Sequence, residues 1–286
     1  MFGSMLRACV PCFALLLVGC ASQRVVPSKP GTAPASDVVT TRDLVDVLKV
    51  LSEPYNGRTL LVLDIDDTLL TSPRFFGSDA WYEWQKTLSP QSPGYVPCKF
   101  DVIAMNYEAG TQVPTQADAI AAINSIPLDK IMITSRSPMY RGGTIRELQE
   151  AGYELPAPLQ PGLAGAIYEY RPDPNRPGVS LSYHQGVLMV AGQNKGLALV
   201  DLMAHMQITY DRVVLVDDGE KNITDMRDAM AAAGIEYRGV RYNRIDKTVD
   251  AAREQQGIES WMAWQQLLAT TYPERLARLK AGECGY

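Results

Sequence analysis

Residues 60–68 read LLVLDIDDT, a short apolar run that ends in aspartates. A continuous run of this kind is typical of a strand buried on both faces, as in a parallel sheet. Asp64 and Asp66 are two positions apart, so an extended chain places their side chains on the same side. Ligands of open parallel sheets bind beyond the carboxyl ends of the strands. The stretch therefore predicts two carboxylates at the mouth of a buried sheet.

Two further apolar runs also end in polar side chains. KIMI at 130–133 is followed by Thr134, Ser135 and Arg136, and RVVLV at 212–216 is followed by Asp217 and Asp218. Helical patterns alternate with these strands, and residues 235–241 read as a fourth strand. This alternation predicts an α/β fold with a mostly parallel central sheet. The predicted helices cover residues 40–51, 117–126, 143–151, 197–206, 221–233 and the C-terminal stretch, and a hairpin is predicted within 165–192 around RPDPNRPG.

Composition excludes several classes of protein. The chain has 286 residues with a formal net charge of −5, and 46% of its residues are hydrophobic, which is typical of a globular protein and not of a disordered one. The acidic balance argues against a nucleic-acid surface, which would normally be basic. Two histidines are too few for a His-rich metal cage. No internal repeat is evident.

The N-terminus reads as a targeting segment. Arg7 precedes an apolar run from Ala8 to Val18, and Leu17-Val18-Gly19-Cys20 resembles a bacterial lipobox. We therefore expect a lipoprotein signal peptide at 1–19, a lipid (palmitate) on Cys20 and a flexible tether at 20–38. The protein would then be anchored to the bacterial cell envelope. Its resemblance to Gram-negative lipoproteins, with Ala21 and not Asp after Cys20, implies the outer membrane, facing the periplasm. An ordinary signal peptide or a buried N-terminal helix is the alternative.

Two cysteines remain in the mature chain, Cys98 and Cys284. Outside the cytoplasm two thiols can pair, so a Cys98–Cys284 disulfide is one interpretation. Two unpaired buried thiols are the other, because a sequence does not show whether the two Cα atoms approach.

The order of the polar strand ends resembles the haloacid dehalogenase-like phosphatase superfamily. Its first motif is D-x-D-x-T, here residues 64–68, followed by Thr134, by Lys195 at the start of a helix, and by the pair Asp217-Asp218. The resemblance covers residues 60–225 and implies a Rossmann-like three-layer sandwich spanning 39–286. It implies small cap insertions at about 71–129 and 155–193. Within the superfamily the chain is similar to secreted acid phosphatases, and more similar to an uncharacterised bacterial group with T-x-R and D-D motifs. It departs from the G-D-x-x-x-D form of the fourth motif, since no Gly precedes Asp217.

The resemblance also implies a role for each residue. Asp64 would be the nucleophile that forms an aspartyl phosphate, and Asp66 would protonate the leaving alcohol and then activate water. Thr134 and Lys195 would hold phosphate oxygens of a small phosphorylated substrate, with Ser135 as an alternative to Thr134. Carboxylates gathered at one sheet edge repel each other unless a hard cation binds between them. The expected cofactor is Mg²⁺, held by Asp64, Asp217, Asp218 and the backbone carbonyl of Asp66.

Other interpretations stay open at this point. The same fold could serve as a non-catalytic envelope lipoprotein with a vestigial site, or as a phosphotransferase that passes the phosphoryl group to an alcohol. Arg136 could contact substrate or be an ordinary surface residue. An aromatic group after the first motif either packs a small insertion or lines the access to the site, and it comprises Phe75, Phe76, Trp81, Tyr82 and Trp84.

Overall fold

The computed structural model of the protein describes residues 36–110, 112–160, 168–170 and 179–285. These residues belong to one compact unit that spans 33–286. The predicted signal peptide, Cys20 and the RPDPNRPG segment lie outside the described residues. Across the described part of the chain, no helix has the length and apolar character needed to span a bilayer.

Ten strands are described. They are β1 (Ser36–Thr41), β2 (Thr59–Asp64), β3 (Leu70–Thr71), β4 (Val113–Pro114), β5 (Asp129–Thr134), β6 (Tyr168–Tyr170), β7 (Leu181–His184), β8 (Val187–Met189), β9 (Arg212–Asp217) and β10 (Glu236–Tyr242). Eight of them form the central sheet in the order β1-β10-β9-β2-β5-β8-β7-β6. The first six strands in this order, from β1 at the edge to β8, pair in parallel. Strands β7 and β6 extend the sheet in antiparallel pairing. The predicted mostly parallel sheet is therefore confirmed.

Helices cover both faces of this sheet. They are α1 (Val47–Ser52), α2 (Asp79–Thr87), α3 (Lys99–Ala109), α4 (Ile120–Asn124), α5 (Arg141–Glu150), α6 (Lys195–His205), α7 (Glu220–Ala233), α8 (Ala251–Thr271) and α9 (Pro273–Lys280). Alternate residues of β2 point to opposite faces, as the pleat requires. Leu60 and Val62 join a core with α6 and α7, whereas Leu61 and Leu63 join a core with α1 and the segment 71–129. The three-layer α/β architecture follows from these two cores.

The predicted helix at 40–51 begins too early. Thr40 and Thr41 belong to β1, and the helical part starts with a 3₁₀ turn at Leu44–Asp46 whose N-cap is Asp43. Strand β1 also takes in residues 36–38, which composition assigns to the end of the tether. Neither valine of β1 is buried, since Val38 and Val39 are each 41% exposed. The strand is held by backbone pairing with β10, which leaves no apolar alternation to indicate it.

The two predicted insertions differ in kind. The segment 71–129 contributes α2, α3, α4 and the small β3–β4 pair, and it packs beside the carboxyl edge of the sheet. The segment 155–193 instead contributes β6, β7 and β8 to the central sheet. The hairpin predicted within 165–192 is confirmed by the antiparallel pairing of β6 with β7.

A disulfide joins Cys98, at the start of α3, to Cys284 near the C-terminus, with the two Cα atoms 5.2 Å apart. The predicted Cys98–Cys284 disulfide is thus confirmed, and the alternative of two unpaired thiols is wrong. Cys98 is buried against Leu268, Leu276 and Leu279, so the bond ties the C-terminal helices α8 and α9 to the segment 71–129.

Replacing both cysteines by serine is expected to lower the free energy of unfolding by about 2–5 kcal/mol, because the bond closes a long loop in the unfolded chain. The sequence separation is 186 residues. Urea unfolding of the oxidised wild type, the reduced wild type and the double Ser variant measures the effect. The reduced wild type should resemble the variant. Equal midpoints for the variant and the oxidised protein would show that the bond does not form in solution.

Candidate active site

Three neighbouring strands and one helix bring the predicted residues to one edge of the sheet. Asp64 ends β2, Thr134 ends β5 and Asp217 ends β9, and these strands lie side by side in the sheet. Lys195 is the first residue of α6, whose N-cap Asn194 accepts a hydrogen bond from the backbone N–H of Leu197. Because the strands are parallel, their carboxyl ends face the same cavity of about 890 Å³.

The turn after β2 links the first motif to the last. Asp67 has a positive φ of 55°, a left-handed conformation that aspartate tolerates better than most residues, and the turn closes on the carbonyl of Ile65. The hydroxyl of Thr68 donates to Asp64 Oδ2 at 2.9 Å and accepts from the backbone N–H of Asp218 at 3.1 Å. Thr68 therefore holds the end of β2 against the end of β9.

Carboxylate oxygens of Asp64, Asp217 and Asp218 lie within 4.8 Å of one another. Lys195 Nζ lies between two of them, 2.5 Å from Asp64 Oδ1 and 2.7 Å from Asp217 Oδ2. Burial raises the pKa of Asp64 well above its usual range, and the negative charge of Asp217 raises it further, whereas Lys195 lowers it. Asp64 and Asp217 are buried, at 3% and 0% exposure. Lys195 thus contacts two carboxylates of the cluster, and Lys247 contacts the third, Asp218.

This acidic cluster fits a hard divalent cation. Its donors are carboxylate oxygens alone, which is the ligand type that Mg²⁺ prefers over nitrogen or sulfur. Asp64, Asp217 and Asp218 would hold the ion. The side chain of Asp66 is not among these oxygens, so any contact between Asp66 and the ion would run through its backbone.

The carboxylate of Asp66 faces β5 instead. It accepts from Thr134 Oγ1 at 3.1 Å and from Arg136, whose Nε and Nη2 lie 3.0 and 2.8 Å from its two oxygens. Burial alone would raise the pKa of Asp66, but the charge and hydrogen bonds of Arg136 and the hydroxyl of Thr134 bring it below its usual value. Asp66 is therefore held in a fixed orientation beside Asp64.

Arg136 is not a surface residue. Its side chain is 1% exposed, and its Nη1 donates to Glu147 Oε2 at 2.7 Å and to Thr144 Oγ1 at 3.0 Å. The guanidinium carbon lies 3.8 Å from the ring centre of Tyr107, a cation–π contact. Burial raises the pKa of Glu147 to about 7, although the charge of Arg136 opposes this. Arg136 is thus held by contacts with α3 and α5, and it lines the cavity beside Asp66.

The aromatic group after the first motif divides into two sets. Phe75, Phe76, Trp81 and Trp84 are buried and contact each other in the core, with ring centroids 5.7 Å apart for Phe75–Trp84 and 5.1 Å apart for Phe76–Trp81. Tyr82 lines the cavity. Both proposed roles are therefore filled, packing by four residues and cavity lining by one.

The cavity also includes residues that the sequence did not single out. Lys247 follows β10, after all four motifs, and its ammonium contacts Asp218. Phe100, Ile103 and Tyr107 of α3 also line the cavity. Nothing in the spacing of these residues marks them, whereas Arg136 stands next to a motif and could be noticed for that reason.

Comparisons with known proteins add the following. No curated protein matches the chain. Two solved structures of the class C acid phosphatase from Bacillus anthracis, the second with tungstate bound, are each 12% identical in sequence, with TM-scores of 0.36 and 0.37. Each alignment covers 76% of this chain and 84% of that chain. Residues 40–274 match the family described as "Protein of unknown function (DUF2608)", and the chain is a member of this family.

Proposed function

We propose that the protein is a Mg²⁺-dependent phosphomonoesterase that acts through an aspartyl phosphate on Asp64. One observation carries the proposal. The carboxylates of Asp64, Asp217 and Asp218 converge with the ammonium of Lys195 at the carboxyl edge of a parallel sheet. Asp64, Asp218 and Lys195 line one cavity, and Asp217 is buried beside them. Asp66, two residues after Asp64, is held beside this cluster by Thr134 and Arg136.

In the first step a carboxylate oxygen of Asp64 attacks phosphorus, and the bond between phosphorus and the ester oxygen breaks. Because the pKa of Asp66 is lowered in the free protein, Asp66 first takes a proton from the monoanionic phosphate of the bound ester and then passes it to the leaving oxygen. In the second step Asp66 takes a proton from water as the water oxygen attacks phosphorus. The bond to Asp64 then breaks, inorganic phosphate leaves, and both aspartates return to their starting states.

Charge on the transferring phosphoryl group must be neutralised throughout. Lys195 is already in contact with the nucleophile, so its ammonium lies where phosphoryl oxygens would arrive. A bound Mg²⁺ would supply further positive charge. Thr134 is fully buried and its hydroxyl donates a hydrogen bond to Asp66, whereas Ser135 is exposed and lines the cavity. These surroundings favour Ser135 over Thr134 as the phosphate contact at the end of β5.

Release of p-nitrophenol from its phosphate ester tests the proposal. We expect turnover with MgCl₂, loss of turnover on adding EDTA, and recovery on adding excess Mg²⁺, because three carboxylates at close range need a dication to accept a phosphoryl group. A protein that binds Mg²⁺ without hydrolysing any ester would favour the non-catalytic alternative. Transfer of phosphate to an added alcohol would identify a phosphotransferase.

We also propose that this activity is tethered to the cell envelope. The proposal depends on Leu17-Val18-Gly19-Cys20, which lies outside the described residues. Labelling of the protein with palmitate in a bacterial host, lost in Cys20→Ala, is the expected result. Equal labelling of the variant would refute a lipid on Cys20.

A further inference from the structure

A second group of carboxylates lies beside the acidic cluster and surrounds a lysine. Lys247 Nζ is 2.5 Å from Asp218 Oδ2, 2.6 Å from Asp79 Oδ2 and 3.1 Å from Asp67 Oδ2. An ammonium group has three N–H donors, and each of them has its own carboxylate here. All four residues line the same cavity as Asp64.

The three carboxylates come from separate parts of the chain. Asp67 lies in the turn after β2, Asp79 is the first residue of α2, and Asp218 follows β9. Lys247 itself lies between β10 and α8. Four segments distant in sequence therefore meet at one positive charge. The arrangement has the form of a cation site whose cation belongs to the protein.

Asp218 is shared between this group and the acidic cluster of Asp64, Asp217 and Asp218. Asp218 would thus bridge a divalent ion on the acidic cluster to the second group of carboxylates, Asp67, Asp79 and Asp218 itself. Pairs of divalent ions bridged by a carboxylate are a common arrangement in phosphatases. Here the second position already contains the Lys247 ammonium.

We propose that Lys247 acts as a built-in cation that occupies the position of a second divalent ion and so keeps the centre mononuclear. From the proposed function, the inference requires only that a divalent ion binds at the acidic cluster; it does not require the hydrolysis itself. It assigns Lys247 a positioning role, since its ammonium acts through Asp218 and not on the substrate. It also explains why an ammonium is placed among three carboxylates that face the cavity.

Binding of Mn²⁺, counted by electron paramagnetic resonance with the full-length protein, tests the inference. We expect one Mn²⁺ per chain for the wild type and two for Lys247→Met, because the variant leaves Asp67, Asp79 and Asp218 without a cation. Lys247→Arg keeps the positive charge and should bind one. Lys49→Met is the matched control, since Lys49 pairs with Asp46 on the exposed surface and should leave the count unchanged.

The outcomes separate the two proposals. One Mn²⁺ in both the wild type and Lys247→Met, with equal Kd, overturns the inference on Lys247 alone. No Mn²⁺ in the wild type but one in Lys247→Met overturns both, because without an ion at the acidic cluster there is no mononuclear centre for Lys247 to maintain. No Mn²⁺ in either protein overturns both. Lys247→Gln is measured in parallel in case Lys247→Met does not fold, and the same outcomes apply to it.

Discussion

Asp64→Asn is expected to lower turnover of p-nitrophenyl phosphate by on the order of 10⁶-fold, the size of loss seen when a nucleophile is removed. An amide cannot form the acyl phosphate, and its nitrogen is not a nucleophile at neutral pH. The measurement is kcat on the purified variant with saturating Mg²⁺. Full turnover by Asp64→Asn would show that another residue is the nucleophile.

The stability of this variant provides an internal control. Burial and Asp217 raise the pKa of Asp64, so its ionised form destabilises the metal-free fold at neutral pH. Asparagine has no such charge, and we expect Asp64→Asn to unfold, in EDTA, at or above the wild-type temperature. Loss of activity would then not reflect loss of fold. Asp201→Asn, on the exposed side of α6, is the matched control and should keep wild-type turnover.

Arg136→Ala is expected to reduce kcat by about 10²–10³-fold, within the range that a positioned general acid contributes. Arg136 makes paired hydrogen bonds to Asp66, and without them only Thr134 orients this carboxylate. The loss should be larger for an alkyl ester such as glycerol phosphate than for p-nitrophenyl phosphate. The reason is that p-nitrophenolate leaves without a proton, whereas an alkoxide does not.

Added guanidinium should restore part of the activity of Arg136→Ala on the alkyl ester, because a small cation can enter the space left between Asp66 and Glu147. Arg136→Lys keeps the charge but loses the planar pair of donors, so we expect an intermediate loss. Arg227→Ala, which removes an exposed pair with Asp228, should change neither ester. Equal losses on both esters without rescue would mean that Arg136 is needed only for folding.

The sequence predicts those parts of the fold in which burial is continuous. Strands β2, β5 and β9 are buried along most of their length, and in each of them the apolar run changes directly to polar residues at its carboxyl end. The pattern therefore predicts both the strands and the polar residues at their ends. Parallel pairing then brings Asp64, Thr134 and Asp217 together without further information. The resemblance, and not the apolar pattern, assigns a role to Lys195 at the start of α6.

Contacts that depend on packing between distant segments could not be predicted. Glu147 lies in α5 among other charged and polar residues, and only the packing of α5 against Arg136 shows that its side chain is buried. Lys247 has no motif around it, and its role depends on three aspartates placed by three other elements. The sequence does not predict strand β1, because its side chains are exposed and only its backbone pairs with the sheet.

The polarity of β1 decides how the protein can be attached to a surface. Because β1 is parallel to β10, β9 and β2, Ser36 lies at the amino edge of the sheet, and the strand ends that carry Asp64 and Asp217 lie at the opposite edge. Any linkage placed before Ser36, whether a lipid, an affinity tag or a chip linker, therefore joins the sheet on the side remote from the cavity. Immobilisation through the N-terminus should leave the cavity open to solutes, which makes this end the suitable one for binding assays on a surface.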